Sequence, residues 1–160
     1  MTASVQNIVF ESSTFNKIQG GITSRNNSTS IVIDGCTFGN FISPGGLMFR
    51  YRGGEGNNDV KNGITITNSI FGHAWDEAEA ENYAIRGIEG LGNTSFNLVN
   101  NYSTGDFTFS GSEIPGFPVG NYSGGQKDLW VDPATNNFNF KDSGFAGRFD
   151  TGDQRWRVKL

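Results

Sequence analysis

The chain has 160 residues, enough for one domain with a real core and too few to require two. Its 23 glycines, with abundant Asn, Ser and Thr, place turn chemistry every few residues and favour many short strands, leaving room for one short helix at most. A net charge of −4 offers no whole-protein attraction to nucleic acid, and no apolar run reaches spanning length, so neither a nucleic-acid partner nor membrane insertion is expected.

In chain order, the first unit is Ile8-Val9-Phe10, a turn at Glu11-Ser12, then Ser13-Thr14-Phe15. The same grammar returns as Ile31-Val32-Ile33, Asp34-Gly35, Cys36-Thr37-Phe38, and again as Ile64-Thr65-Ile66, Thr67-Asn68, Ser69-Ile70-Phe71. A degraded fourth copy reads Phe96-Asn97-Leu98, Val99-Asn100, Asn101-Tyr102. Each apolar run has the period of two of a strand burying one face. Copies at unequal spacing fit stacked strands whose surface loops vary in length, so the expected fold is all-β: a right-handed parallel β-helix of about four coils over residues 1–111. The predicted inward columns are Ile8, Ile31, Ile64 and Phe96, then Phe10, Ile33, Ile66 and Leu98. A small, weakly polar column of Ser13, Cys36, Ser69 and Asn101 suits a corner, which makes Cys36 a buried structural thiol.

Each coil is completed by a third run: Ile22-x-Ser24, Leu47-x-Phe49, Tyr83-x-Ile85 and Phe107-x-Phe109. Aligned on the first apolar residue, these place Arg25, Arg50, Arg86 and Ser110 in one outward column, three guanidinium groups climbing a face with rungs roughly 4.8 Å apart. Something anionic is expected there. Either Glu55, Glu81 and Glu89 form surface salt bridges with the arginines, or a carboxylated ligand meets their two-pronged guanidinium geometry. The candidate ligand-binding residues are Arg25, Arg50, Arg86 and Arg52, with Tyr51 and Trp75 as neighbouring aromatics.

Longer loops leave the barrel at residues 53–62 and 72–82. The second has the only helix-forming composition, over residues 75–85, and carries Trp75, Asp76, Glu77, Glu79 and Glu81. Trp75 reads as an anchor on the barrel wall or a stacking platform for a sugar. No cofactor is required; calcium, which takes six to eight oxygen ligands, is the one ion this acidic loop could serve, although it lacks the spacing of a calcium loop. His73, the single histidine, aligns with Asn40 and Lys17 and reads as a turn residue.

From residue 112 the repeat grammar stops. A Pro- and Gly-rich connection is expected to pack over the open end of the last coil, and residues 112–160 to form an irregular cap of the same domain. Within it, Val131-Asp132-Pro133, Asn136-Asn137, Phe138-x-Phe140 and Gly152-Asp153-x-Arg155-Trp156 resemble the closing pattern of secreted right-handed β-helix proteins of Bacteroidetes, which end in Gly-Asp-Pro-Arg-Trp. Gln154 stands where that pattern has proline. The resemblance implies pectate-lyase-like architecture, the company of pectin-degrading enzymes, and a structural role in cap closure for Asp153, Arg155 and Trp156.

Three functions follow as expectations. The first is a non-catalytic carbohydrate-binding module for acidic, uronate-containing polysaccharide along the arginine face. The second is a structural spacer with the arginines salt-bridged. The third is a polysaccharide lyase acting by β-elimination, with Arg50 and Arg86 as base and clamp. All three place the domain in a secreted or cell-surface protein whose partners are polysaccharide and the other domains of a larger parent.

Overall fold

The computed structural model describes residues 4–52, 59–78 and 80–160. The strands arrive in threes. The first round is β1 (Asn7–Glu11), β2 (Thr14–Ile18) and β3 (Ile22–Ser24); the second is β4 (Ser30–Asp34), β5 (Thr37–Phe41) and β6 (Leu47–Tyr51). The third is β7 (Ile64–Thr67), β8 (Ile70–Phe71) and β9 (Ala84–Glu89), and the fourth β10 (Phe96–Val99), β11 (Tyr102–Thr104) and β12 (Thr108–Gly111). After them come β13 (Gly120–Tyr122), α1 (Gln126–Leu129), β14 (Trp130–Asp132) and β15 (Asn137–Phe140). Each round gives one strand to each of three parallel sheets, ordered β1-β4-β7-β10, β2-β5-β8-β11-β13 and β3-β6-β9-β12. The fold is thus mostly β, with stacked parallel sheets compatible with a β-helix.

The first sheet has the expected register: Ile8, Ile31, Ile64 and Phe96 are paired in a row, as are Phe10, Ile33, Ile66 and Leu98. The corner that follows is left-handed in every round, with φ of 44° at Ser12, 60° at Gly35, 49° at Asn68 and 48° at Asn100. Short polar residues and glycine tolerate that region, which is why Ser, Gly and Asn occupy it. Asn100 Nδ2 donates to Asn68 Oδ1 (3.0 Å), and Asn68 Nδ2 and Thr67 Oγ1 donate to Asp34 Oδ1 (2.8 and 2.7 Å), so the corner is tied from round to round. Next, Cys36, Ser69 and Asn101 are fully buried, and the Cys36 amide donates to Ser69 Oγ at 3.0 Å. Burial pushes the Cys36 thiol up to about 11, as befits a structural cysteine.

Inside the second sheet, Phe15, Phe38 and Phe71 stack nearly parallel with centroids 4.9 and 4.6 Å apart. Each such pair contributes about 0.5–1.5 kcal/mol beyond area burial. The fourth round places Ser103 opposite Phe71, and Phe117 comes in from the following connection to meet the Phe71 ring edge-on. With Ile114 it plugs that end of the core, as the sequence predicts for the Pro- and Gly-rich segment. The segment is less irregular than expected, since β13 extends the second sheet beyond β11.

Two expectations fail. Residues 75–78 and 80–83 hold no helix, only a turn at 77–78 and a bend at 80, and the α-helix lies in the cap instead. Asp76 accepts from the amides of Ala78 and Asn82, and these local bonds compete with helical ones. In the third sheet, Ile22 pairs with Phe49 and Phe49 with Ile88, so alignment on the first apolar residue is wrong there. Ile85 and Ile88 both pack on the core although they are three apart, a spacing that strict alternation forbids.

The C-terminal segment does not sit on the end of the stack. It folds back along the outer face of the second sheet, where Leu129, Trp130, Phe138 and Phe145 bury themselves with Ile70 against Tyr102, Tyr122 and Trp156. Gly39 permits this: a Cβ there would lie 2.4 Å from the Phe138 ring. Asp153 is 1% exposed, accepts from Thr14 Oγ1 (2.7 Å) and pairs with Arg155 (2.6 Å), while Trp156 Nε1 donates to Thr14 Oγ1 (2.7 Å). The motif residues are structural here, clasping the first round.

Candidate functional site

The fold-back of the cap creates an open cleft of about 620 Å³. Its floor is the corner at which the second-sheet strands end, carrying Lys17, Asn40 and His73. Lys17 and Asn40 adopt φ of 57° and 46°, which turns the chain away and leaves their side chains at the rim of the barrel. One wall is the loop with Trp75, Asp76, Glu77, Glu81 and Tyr83; the other is the cap, with Gln126, Lys127, Asp132, Pro133 and Lys141.

Hydrogen bonds fix the floor. Gln126 Nε2 donates to Asn40 Oδ1 (2.7 Å), Asn40 Nδ2 donates to Asn16 Oδ1 (2.9 Å), and Asn16 Nδ2 donates to the Pro133 carbonyl (2.9 Å). The backbone N–H of Gln126 donates in turn to the Asp106 carboxylate, whose two oxygens lie 3.2 and 3.1 Å away. His73 lies flat against Tyr83, centroids 3.8 Å apart and planes 19° from parallel. Its Nδ1 is 2.6 Å from the Ala74 carbonyl, so Nδ1 carries the proton and donates. Burial holds the imidazole below its usual range, the Ala74 bond opposing this only in part. The cleft therefore joins a rigid amide floor, ring surfaces at Trp75, Tyr83 and His73, and lysines facing carboxylates across a gap of ligand size.

The arginine column is not formed. Arg50 stands between Thr23 and Glu89 in the third sheet, whereas Arg86 stands between Leu47 and Gly111. Arg25 and Arg52 follow the Ser24–Tyr51 pair, giving them a register of their own. Arg50 Nε is 2.9 Å from Glu89 Oε1, both side chains are more than a third exposed, and the Arg50 hydrogen bond holds the Glu89 carboxyl below its ordinary value. Arg86 Nε donates to the Gly45 carbonyl at 2.9 Å. Tyr51 cannot touch a surface ligand: it is 2% exposed, inside the core, with its hydroxyl donating to Ser28 Oγ. Trp75 alone of the six predicted residues lines the cleft. Glu55 and Glu79 lie outside the described residues, and among those described no group of three His, Cys, Asp or Glu could hold a metal ion. Sequence reading aligned Lys17, Asn40 and His73 as one turn position and so found the floor without its meaning. The cap wall came from residues 53 or more positions beyond the floor, out of the reach of any local pattern.

Stacked parallel sheets with a plugged end and a lateral cleft under a folded-back cap define a mostly β scaffold compatible with a β-helix. The family model described as Domain of unknown function (DUF5123) matches residues 31–156, and the chain belongs to that family. No curated protein and no solved structure matches the chain.

Proposed function

We propose that this domain is a non-catalytic carbohydrate-binding module, a short right-handed parallel β-helix that holds a uronate-containing polysaccharide in the cleft between the 75–83 loop and the cap. The observation that carries it is the convergence of Trp75 and the stacked Tyr83 and His73 with Lys17, Lys127 and Lys141 around one open groove. Ring faces suit the apolar faces of sugars, and lysines on the floor and cap suit their carboxylates. Right-handed winding is the rule for parallel crossover connections. In this reading the domain belongs to an exported protein of the pectate-lyase-like kind found in Bacteroidetes, joined to other domains, and calcium is not needed. The Arg50–Glu89 pair supports a second reading, a spacer whose surface arginines are neutralised internally.

Affinity electrophoresis through gels containing polygalacturonate, alginate or neutral xylan separates these. Binding predicts retardation in an acidic gel that Trp75→Ala and the Lys17/Lys127/Lys141→Ala triple variant abolish and that chelation leaves intact. Retardation abolished only by the Arg25/Arg50/Arg86→Ala variant would return the site to the outer face. Equal mobility in every gel would leave the spacer, and release of unsaturated sugars would make the domain a lyase.

A further inference from the structure

The two ends of the stack differ. One is plugged by Ile114 and Phe117. At the other, β1, β2 and β3 are the terminal strands of their sheets, and an apolar recess of about 150 Å³ opens among residues including Phe10, Phe15, Ile18, Ile22, Phe38 and Phe41. Ile8, Phe10, Phe15, Ile18 and Ile22 are only partly buried, whereas their second-round counterparts Ile31, Ile33, Phe38, Phe41 and Phe49 are all buried. Three strand edges left uncovered by any described residue, around an apolar recess, are an interaction surface that proteins do not usually leave open.

What fits is set by the stack. An added strand or helix would cover one edge and leave two, so the occupant must present three parallel strands at once, with apolar residues above Ile8 and Phe10, above Phe15 and above Ile22. Phe15 is the last ring of the Phe15–Phe38–Phe71 stack and invites a fourth on its outer side. The path into β1 indicates where these strands come from. The Ser28 hydroxyl donates to the Val5 carbonyl, and the Thr29 and Ser30 amides to that of Gln6; the Lys61 and Asn62 amides donate likewise to Ser28 and Thr29. Residues 5–6 thus stack on the connection that carries the chain from β3 to β4, and residues 28–29 on the residues leading into β7. The chain enters β1 along the track that in the later rounds comes from a third-sheet strand.

We infer that the open end receives a further round of parallel strands contributed by polypeptide ahead of this domain in a longer chain. The inference does not depend on what the cleft binds. The test is a chimera in which residues 28–62 are duplicated directly ahead of Asn7, so that the copied Ile31, Ile33 and Phe38 stack on Ile8, Phe10 and Phe15. The expected result is a monomer whose melting temperature rises by about 5 °C or more and in which β1, β2 and β3 become protected from amide exchange, with both gains lost on Phe38→Asp in the copied round. An unchanged melting temperature with the copied round open to protease would overturn the inference. The unaltered chain supplies the second measurement: ANS binding and amide exchange in β1, β2 and β3 much faster than in β4 and β5 are expected. Protected β1–β3 without dye binding, or a dimer dissociated by Phe15→Asp, would show the end closed in another way and would also overturn it.

Discussion

Phe117 meets Phe71 edge-on, with ring centroids 4.9 Å apart and planes at 86°. The contact replaces a parallel stack that could not continue, because the fourth round offers Ser103 at the next rung. A side chain from outside the repeat thereby finishes the aromatic column. Phe117→Ala should cost about 3–5 kcal/mol, the usual range for a buried phenylalanine, and would be read from the midpoint of chemical denaturation. Phe117→Leu should restore more than half of the loss.

Asp153 yields a pH prediction. Burial alone would raise its carboxyl, but the bonds from Arg155 and Thr14 outweigh burial and hold it below the ordinary carboxylate value. A group depressed in the folded state stabilises fully above its unfolded value, about 3.9, and loses that contribution as pH falls through the folded one. The melting temperature should therefore fall below about pH 4, with a flatter decline in Asp153→Ala. At neutral pH that variant should be less stable by about 3 kcal/mol, because the clasp on Thr14 goes with it.

His73 acts in a higher window with the same sign. Its folded value is depressed by burial, so the unfolded chain takes up the proton first as pH drops below about 6.5. Stability should decline from there down to the folded value, and His73→Gln should remove that component. NMR titration of the single histidine would give the folded value directly, and a value at or above the ordinary range would contradict the burial described here.

Cys36 should resist iodoacetamide and disulfide reagents in the native protein and react at once in denaturant, since burial keeps the thiol protonated. Mass spectrometry of the labelled chain checks this. Rapid native labelling would mean that the first and second rounds separate readily.

The parts legible in the sequence were those fixed by neighbours. Ile31 and Ile64 share a row because period-two burial and a turn after Ile33 and Ile66 leave one register, and the Ser12, Gly35, Asn68 and Asn100 corner announces itself by residue types that tolerate positive φ. The third sheet was illegible because Ile85 and Ile88 break the alternation on which alignment rested, moving Arg86 from beside Arg50 to beside Leu47. The cleft was illegible for another reason. Asn40 meets Gln126 only because Phe138 docks on Gly39, a contact between distant segments that leaves no periodic trace.

The clasp between Trp156 and Thr14 spans 142 positions of the sequence, and Gln154 reaches Ser12 across the same distance. Stacked repeats ordinarily fold by nearest-neighbour growth, each layer templating the next, with little penalty for chain closure. Here the first layer is pinned by the closing segment of the domain. During translation the outer wall of the second sheet stays bare, and the groove beside it has only one bank, until the cap segment has emerged. The domain thus gains its cleft in a late, long-range step, giving a modular-looking stack the higher contact order of a globular protein.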